Sequence, residues 1–535
     1  MKNKFALFVI LLIGIVCSYR LFQPGYFSMQ DDMHVFRLSQ FHQCVLDRQI
    51  PCRYISQGGL GYGYPLFNFY SPAPYILGEI FHLVGFSFID SIKIVFIITS
   101  FIRPLGIYLL ASLLFGQGGG LIAAIVFSLA PYQAINSFVR GAIAENLALS
   151  LLPFVFWSLL SKRYYLYTIF LSILALTHNL TLLYVAPLII LFTVFFQRKE
   201  SKKIILSSLL SFGISAFFLL PAFFEKQFTT VTTMTQGYFN FVNHFATLKQ
   251  LFINHDWGFG ASLWGPIDDM SFQIGYLQWI LPIIALLTII KSKHKKFSLF
   301  FLIIGIFSLF LTHNKSTFIW LSLPFMSYYQ FPWRFLGLAI FCFSLVSANL
   351  INFKPIKKFQ NIFIIFVLSI ELLLNFSYFK EDIWYSKITD KDILSQESLV
   401  RQSGAGLKDY WPKFGNNFPT TFATEVETLN GQTSISNFVK KSNHISTTID
   451  VTSETALIKL PVVYFPIFLL TINGQKSSYF IDNDLGLINI ELVNGKNNID
   501  LFFTNTTIRT ISNMLSIVSI TLFISLLIYE KRKNK

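Results

Sequence analysis

The sequence predicts a polytopic α-helical membrane protein with a β-rich domain outside the membrane, placed just before its last helix. Three observations predict it. The 535-residue chain is 53% hydrophobic and 17% aromatic but only 13% charged, with a mean hydropathy of +0.56, more apolar than an ordinary globular domain. About twelve apolar stretches approach the roughly 20 helical residues that cross ~30 Å of hydrocarbon. The basic residues gather in alternate gaps between those stretches, as topology signals do. The net charge of +15 is therefore split into short clusters and forms no continuous basic surface, so no nucleic-acid partner is expected.

In order, the apolar stretches run near 5–22, 91–114, 119–138, 142–160, 164–177, 180–196, 204–223, 272–290, 297–312, 331–350, 361–379 and 511–529. The first follows a basic start, Met1-Lys2-Asn3-Lys4, and has the short core of a signal peptide. No small-x-small cleavage site follows, and the branched Val16 directly before Cys17 does not fit a lipoprotein site, so a retained anchor is expected. The fifth and sixth stretches form one apolar run broken only at Thr177-His178-Asn179.

Lys2/Lys4, Lys162-Arg163, Arg198-Lys199 with Lys202-Lys203, Lys291 to Lys296, Lys354 to Lys358 and Lys531-Arg532-Lys533 all fall on one side. The positive-inside rule makes that side the cytoplasm and places both termini there. High Lys, Asn, Ile and Phe content is that of an AT-rich genome, so a bacterial inner or cell membrane is the expected plasma membrane.

Four regions then face outward: 23–90, with Tyr75 to Phe86 as a helix along the membrane surface, then 224–271, 313–330 and 380–508. The last is large enough to be a domain. Its Ser, Thr, Asn, Asp and Gly content rises, and short alternating runs appear, such as Ile445 to Val451, Phe468 to Ile472 and Ile499 to Phe503. Asn473-Gly474 and Asn494-Gly495 read as hairpin turns, so an antiparallel β-sandwich is expected. The expected division is a transmembrane domain over 1–379, the β-rich domain over 380–508, and a last helix with a basic tail over 509–535. Cys17 and Cys342 lie in apolar stretches as small core residues. Cys44 and Cys52 share the first outside loop, where two free thiols are the default and a local disulfide is the alternative in an oxidising compartment.

With this topology nearly every misplaced polar residue falls at the outer surface. Asp31 and Asp32 follow the first stretch, and Ser28 three residues before Asp31 resembles a capping box, so a helix is expected to carry Asp31, His34 and Arg37 on one sweep of its surface. A carboxylate held near a cation can accept a proton from an attacking hydroxyl or bind a divalent metal, for which Asp31 is the candidate. A solvated helix start with an ion pair is the other reading. Arg140 and Glu145 lie between two apolar stretches with almost no other charge, either as a structural pair or with the arginine gripping a lipid phosphate. Arg334, beside Trp333, is a second phosphate candidate or an interfacial anchor, and Arg103 inside the second stretch is read as having a buried structural partner. His178 sits at the break between two stretches, where backbone groups can satisfy it.

His244, His255, Asp256, Asp268 and Asp269 populate the second outside loop, as solvated side chains or as sugar or metal contacts. Gly58 to Pro65 lacks the lysine of a phosphate loop; its glycines permit a tight turn, and Tyr62 and Tyr64 either stack on a sugar ring or anchor at the interface.

The runs Asp31-Asp32-Met33-His34-Val35-Phe36-Arg37, Gly61 to Tyr70, Val139-Arg140-Gly141-Ala142-Ile143-Ala144-Glu145, Leu176 to Asn179 and Phe331-Pro332-Trp333-Arg334 resemble prokaryotic polytopic proteins of the GT-C glycosyltransferase type, many of which carry the label "6-pyruvoyl-tetrahydropterin synthase-related membrane protein". The pterin label does not extend to activity, since nothing in the chain resembles a three-histidine zinc site. The GT-C resemblance implies a membrane glycosyltransferase. In it an acidic residue of the first outside loop serves at the active site, a polyprenyl-phosphate-linked sugar is the donor, and a glycan, lipid or protein is the acceptor. Carried over, Asp31 or Asp32 is the base or metal ligand, with Asp31 preferred because it is expected to share a helix face with His34. Arg140 and Arg334 are phosphate contacts by their chemistry. Arg37, Tyr62, Tyr64, Glu145 and His178 complete the candidate site. Two other readings stay open: a non-catalytic component of cell-surface glycan assembly or export, and a lipid-linked glycan transporter. The latter calls for polar residues along the middle of several helices and paired broken helices.

Overall fold

Each apolar stretch is helical, as it must be where no water is present to bond backbone N–H and C=O groups. The computed structural model describes residues 4–533 apart from 264, 266, 291 and 424, so Lys2 and Lys291 of the basic clusters lie outside the described residues. Among the described residues, seven helices are long and apolar enough to cross a membrane: Lys4–Phe22, Phe88–Ser128, Ile143–Leu160, Asn179–Phe196, Pro332–Asn352, Gln360–Tyr378 and Thr507–Arg532. Two bent pairs, Arg198–Ile214 with Ala216–Phe228 and Lys295–Leu311 with Asn314–Ser322, raise the number to nine if each is one span. Tyr164–Thr177 and Tyr276–Ile289 are apolar but shorter. Length and composition thus give seven to nine spans where about twelve stretches were expected.

Part of that difference lies in Phe88–Ser128, which covers two expected stretches in 41 residues. It is not straight. Along one straight helix Tyr108 and Gly120 would be roughly 18 Å apart. A Cβ on Gly120 would nevertheless sit 2.8 Å from the Tyr108 carbonyl oxygen. The chain reverses at Gly116, whose φ of 70° suits glycine, and the glycines of the second arm allow the two arms to close.

The chain divides into two compact units. The first comprises Met1–Asp32, Val84–Ser211 and Met234–Thr389. Ile143–Leu160 and Pro332–Asn352 are buried along almost their whole length, whereas Gln360–Tyr378 leaves most of its apolar surface exposed. Polar groups inside this unit are bonded to one another. Arg103 donates to Ser150 Oγ at 3.2 Å and to Asn146 Oδ1, and Glu371 accepts from Gln278 Nε2 at 2.9 Å and from Asn375 Nδ2. The expected buried partner of Arg103 is therefore a pair of neutral side chains. A two-residue ladder, β1 (Tyr26–Phe27) on β2 (Trp384–Tyr385), is antiparallel.

The second unit comprises Met33–Leu83, Phe212–Thr233 and Asp390–Lys535. Its helix Ala73–Leu83 buries Tyr75, Gly78 and Glu79 and exposes Ile76, Ile80 and Leu83, the two-faced pattern of a surface helix. Cys44 and Cys52 are joined in a disulfide, so the free-thiol default does not hold.

The sheet of this unit contains β3 (Glu427–Asn430), β4 (Thr433–Lys440), β5 (His444–Val463), β6 (Phe468–Ile472), β7 (Gln475–Ser477), β8 (Phe480–Ile481) and β9 (Leu487–Phe503). All seven form one hydrogen-bonded sheet, ordered β3-β5-β9-β6-β7 with β4 also on β5 and β8 also on β9. Two separate sheets were expected from the short alternating runs; instead two long strands, β5 and β9, thread the whole sheet. Their register shifts between Val451 and Thr455 and between Lys459 and Val463, which bends both strands. Asn473-Gly474 makes the expected β6–β7 hairpin, with Ile472 opposite Gln475 and positive φ at both turn residues. Asn494-Gly495 does not turn the chain; it lies within β9 at the first register shift, where Asn494 Nδ2 donates to the Val451 and Ser453 carbonyls. The last helix is tied to this unit by Arg509, whose Nε donates to Glu225 Oε2 at 2.9 Å, while Asn68 donates to the same oxygen at 2.8 Å.

Candidate functional site

Within the first unit, the chain leaves the Phe88–Ser128 hairpin, makes a π-helical turn over Ile135–Val139, and re-enters a helix at Ile143. Arg140 and Gly141 fill the gap. Gly141 has φ of 65°, and a side chain there would strike Met29, so only glycine lets the 29–31 segment lie against this turn. The Gln30 and Asp31 N–H groups donate to the Val139 and Arg140 carbonyls, both at 2.9 Å. Backbone pairing thus brings Asp31 alongside Arg140.

Glu145, one turn into the next helix and 4% exposed, is the centre of a charged cluster. Arg140 Nη1 donates to its Oε2 at 2.9 Å, and Arg334 Nε lies 3.5 Å from the same oxygen. The Tyr132 hydroxyl donates to Oε1 at 2.6 Å. Asn136 Oδ1 accepts a further bond from Arg140 Nη1. The Arg140 guanidinium lies over the Trp333 ring, 4.6 Å from its centroid, and Arg334 over Phe331 at 5.0 Å. Arg334 Nη1 is also held by the Tyr329 carbonyl at 2.8 Å and Gln330 Oε1 at 3.1 Å. Burial works against the Arg140 charge, but the adjacent Glu145 carboxylate outweighs it and raises the arginine above its ordinary value.

His178 adjoins the cluster. Its Nδ1 accepts from the Thr181 N–H at 3.3 Å and contacts Thr181 Oγ1 at 2.7 Å, so the ring caps the following helix and its proton belongs on Nε2. Burial, aided by Arg334 and Arg140, pushes its pKa down to about 3. The imidazole is neutral at pH 7.

Arg140, Glu145, Arg334 and His178 are therefore brought together, with Asp31 next to Arg140. The other expected residues fall elsewhere. The helix expected to start near Ser28 begins at His34, because Ser28 Oγ accepts instead from the Ile383 N–H at 3.0 Å. Asp31 and Asp32 lie in the preceding turn and close one segment of the first unit, whereas His34 and Arg37 belong to the second. They share no helix face. His34 Nδ1 meets the Tyr75 hydroxyl at 2.9 Å, and Arg37 donates to the Tyr70 hydroxyl at 2.9 Å with its guanidinium over that ring. Tyr64 is buried, donating to the Gly406 carbonyl at 2.9 Å and accepting from the Tyr410 N–H at 2.7 Å, so its hydroxyl packs the second unit. Tyr62 is half-buried, and its carbonyl accepts from the Val463 N–H at 2.8 Å. Among the described residues, no group of three or more His, Cys, Asp or Glu side chains could hold a metal ion.

Tyr132 and Asn136 join the cluster without having been singled out in the sequence, whereas Gln330 opens the expected run that ends at Arg334. The signal of the first two is weak: each is an uncharged polar residue at a helix end, as many others are.

Fold and cluster together define a polytopic helical membrane protein with a separate sheet and a buried ionic centre at the ends of its helices. Residues 67–380, more than half of the chain, match the family described as "6-pyruvoyl-tetrahydropterin synthase related domain; membrane protein". The chain belongs to that family and is membrane-integral. It is also similar to an uncharacterized protein of Lactococcus lactis subsp. cremoris (strain MG1363), 24% identical over 243 residues, a match spanning 41% of this chain and 40% of that one. No solved structure matches.

Proposed function

We propose that the protein is a GT-C-type membrane glycosyltransferase, transferring a sugar from a polyprenyl-phosphate-linked donor to an acceptor at the outer face of the plasma membrane. The fuller topology, with about twelve spans and both termini cytoplasmic, belongs to the same proposal. The observation that carries it is the pairing of cations and acids at one place: two guanidiniums, Arg140 and Arg334, share the Glu145 carboxylate, and Asp31 lies beside Arg140. At a helix end beside aromatic rings, two guanidiniums suit the phosphate of a membrane lipid, which a guanidinium binds through paired hydrogen bonds, and the neighbouring Asp31 suits a base.

The reaction is a displacement at the anomeric carbon. Asp31 accepts the proton of an acceptor hydroxyl, whose oxygen forms the new bond to the sugar, while the bond to the lipid phosphate breaks and its electron pair leaves with the phosphate. The arginines stabilise that departing charge. Glu145 and Tyr132 position Arg140, and His178, neutral and turned to its own helix, helps hold the wall of the cluster. Asp32 is the alternative base.

The test replaces Asp31→Asn and Asp32→Asn separately in the host and compares surface-glycan composition with wild type and a deletion strain at matched protein abundance. Loss of the glycan in at least one variant is expected. Wild-type glycan in both overturns the catalytic reading.

A further inference from the structure

A cavity of about 470 Å³ lies in the first unit, walled by the 247–256 segment on one side and 267–272 on the other. That volume suits a small ligand. The polar side chains around it include Lys249, Gln250, Asn254, Asp256 and Asp268, a mixture of hydrogen-bond donors and acceptors on both walls. One wall is fixed in advance. Gln250 makes a capping box with Thr247 and donates through Nε2 to Asp268 Oδ2 at 2.9 Å, so its geometry is set before any ligand arrives.

The chemistry of the lining narrows the occupant. An anion would face Asp256 and Asp268 against a single lysine. An apolar molecule would leave the half-buried Asn254 and Asp268 facing it without new hydrogen bonds, which is costly when they are desolvated. Among the described residues no three His, Cys, Asp or Glu side chains come together here to hold a divalent cation. A neutral polyhydroxyl molecule fits: carboxylates and amide oxygens accept from its hydroxyls, and the lysine and amide nitrogens donate to them. Phe272, which also lines the cavity, stacks on Trp333 with ring centroids 5.7 Å apart, and Trp333 carries Arg140 on its ring. Two stacked rings, Phe272 and Trp333, thus stand between the cavity and the ionic cluster.

We propose that this cavity binds a neutral sugar residue, the glycan portion of the acceptor, next to the phosphate-binding arginines. The word acceptor rests on the glycosyltransferase reading; the binding of a neutral sugar does not.

Saturation-transfer NMR on the full-length protein in detergent, with methyl glycosides of glucose, galactose, mannose, rhamnose and N-acetylglucosamine as probes, tests it. At least one glycoside is expected to show contact. The double variant Asn254→Ala/Asp256→Ala, at two positions on the open side of the cavity, is expected to weaken that glycoside roughly tenfold, the equivalent of about 1.4 kcal/mol of lost hydrogen bonding. No signal from any glycoside, or a signal unchanged by the double variant, overturns the proposal. Failure of the function itself looks different: glycoside binding then persists, remains sensitive to the pocket variant, and coexists with wild-type surface glycan in the Asp31→Asn and Asp32→Asn strains.

Discussion

Glu145 neutralises part of the charge of two arginines in a place where water does not reach. Replacing it by glutamine keeps the shape and removes the charge, taking from both guanidiniums the carboxylate they share. Such a loss costs about 3 kcal/mol or more, so Glu145→Gln is expected to unfold at markedly lower temperature in detergent, whereas Tyr132→Phe, which deletes one hydrogen bond, costs about 1 kcal/mol. His178 gives a pH signature. Its folded pKa of about 3 lies below the ordinary value of about 6.5, so between these limits the unfolded chain binds a proton that the folded chain refuses. Stability therefore falls as pH drops from about 6.5 toward 3. In His178→Asn, thermal melts over that range are expected to lose part of the wild-type slope; an identical slope refutes the assignment. Arg140, Glu145, Arg334 and His178 were legible because charge and imidazole are rare in apolar sequence. Asp31 was legible too, but its helix was not, because Ser28 found a backbone partner more than three hundred residues away.

At the scale of elements, long apolar stretches announced their helices, since hydrocarbon leaves the backbone no other way to bond. The hairpin at Gly116 was legible as two stretches with glycines between them. A left-handed turn there resists any side chain, so Gly116→Val is expected to cost about 1–2 kcal/mol, measured by melting of the purified protein, with Gly85→Val as a control at another exposed positive-φ glycine. A Gly116 variant as stable as wild type excludes the reversal. The strands were legible only in pieces. β5 and β9 are long, but their buried face changes at the first register shift and both faces are buried beyond the second, so the alternation that marks a strand breaks in the sequence where the strand itself continues. Asn494-Gly495 lies opposite the bulge in β5, where Gly495 takes the positive φ that a turn glycine would.

For the whole molecule, composition sufficed to predict a membrane protein, and the fall in hydropathy after residue 380 located the sheet. What sequence order concealed is the grouping of segments. Met33–Leu83 and Phe212–Thr233 pack with Asp390–Lys535, although long apolar segments separate them along the chain. No local pattern encodes that grouping, because it depends on contacts such as Arg509 to Glu225 and Asn68 to Glu225, made by residues 284 and 157 positions apart.

The same interleaving has a consequence for biosynthesis. The chain passes from one compact unit to the other at residues 32/33, 83/84, 211/212, 233/234 and 389/390, so during translation neither unit emerges whole. Met33–Leu83 is made more than three hundred residues before the strands of its sheet, which lie within 427–503. Its Cys44–Cys52 bond, closing a loop of only eight residues' separation, needs no such partner and can form at once. The disulfide therefore ties the end of the His34–Leu46 helix to the chain just after it without calling on any later segment.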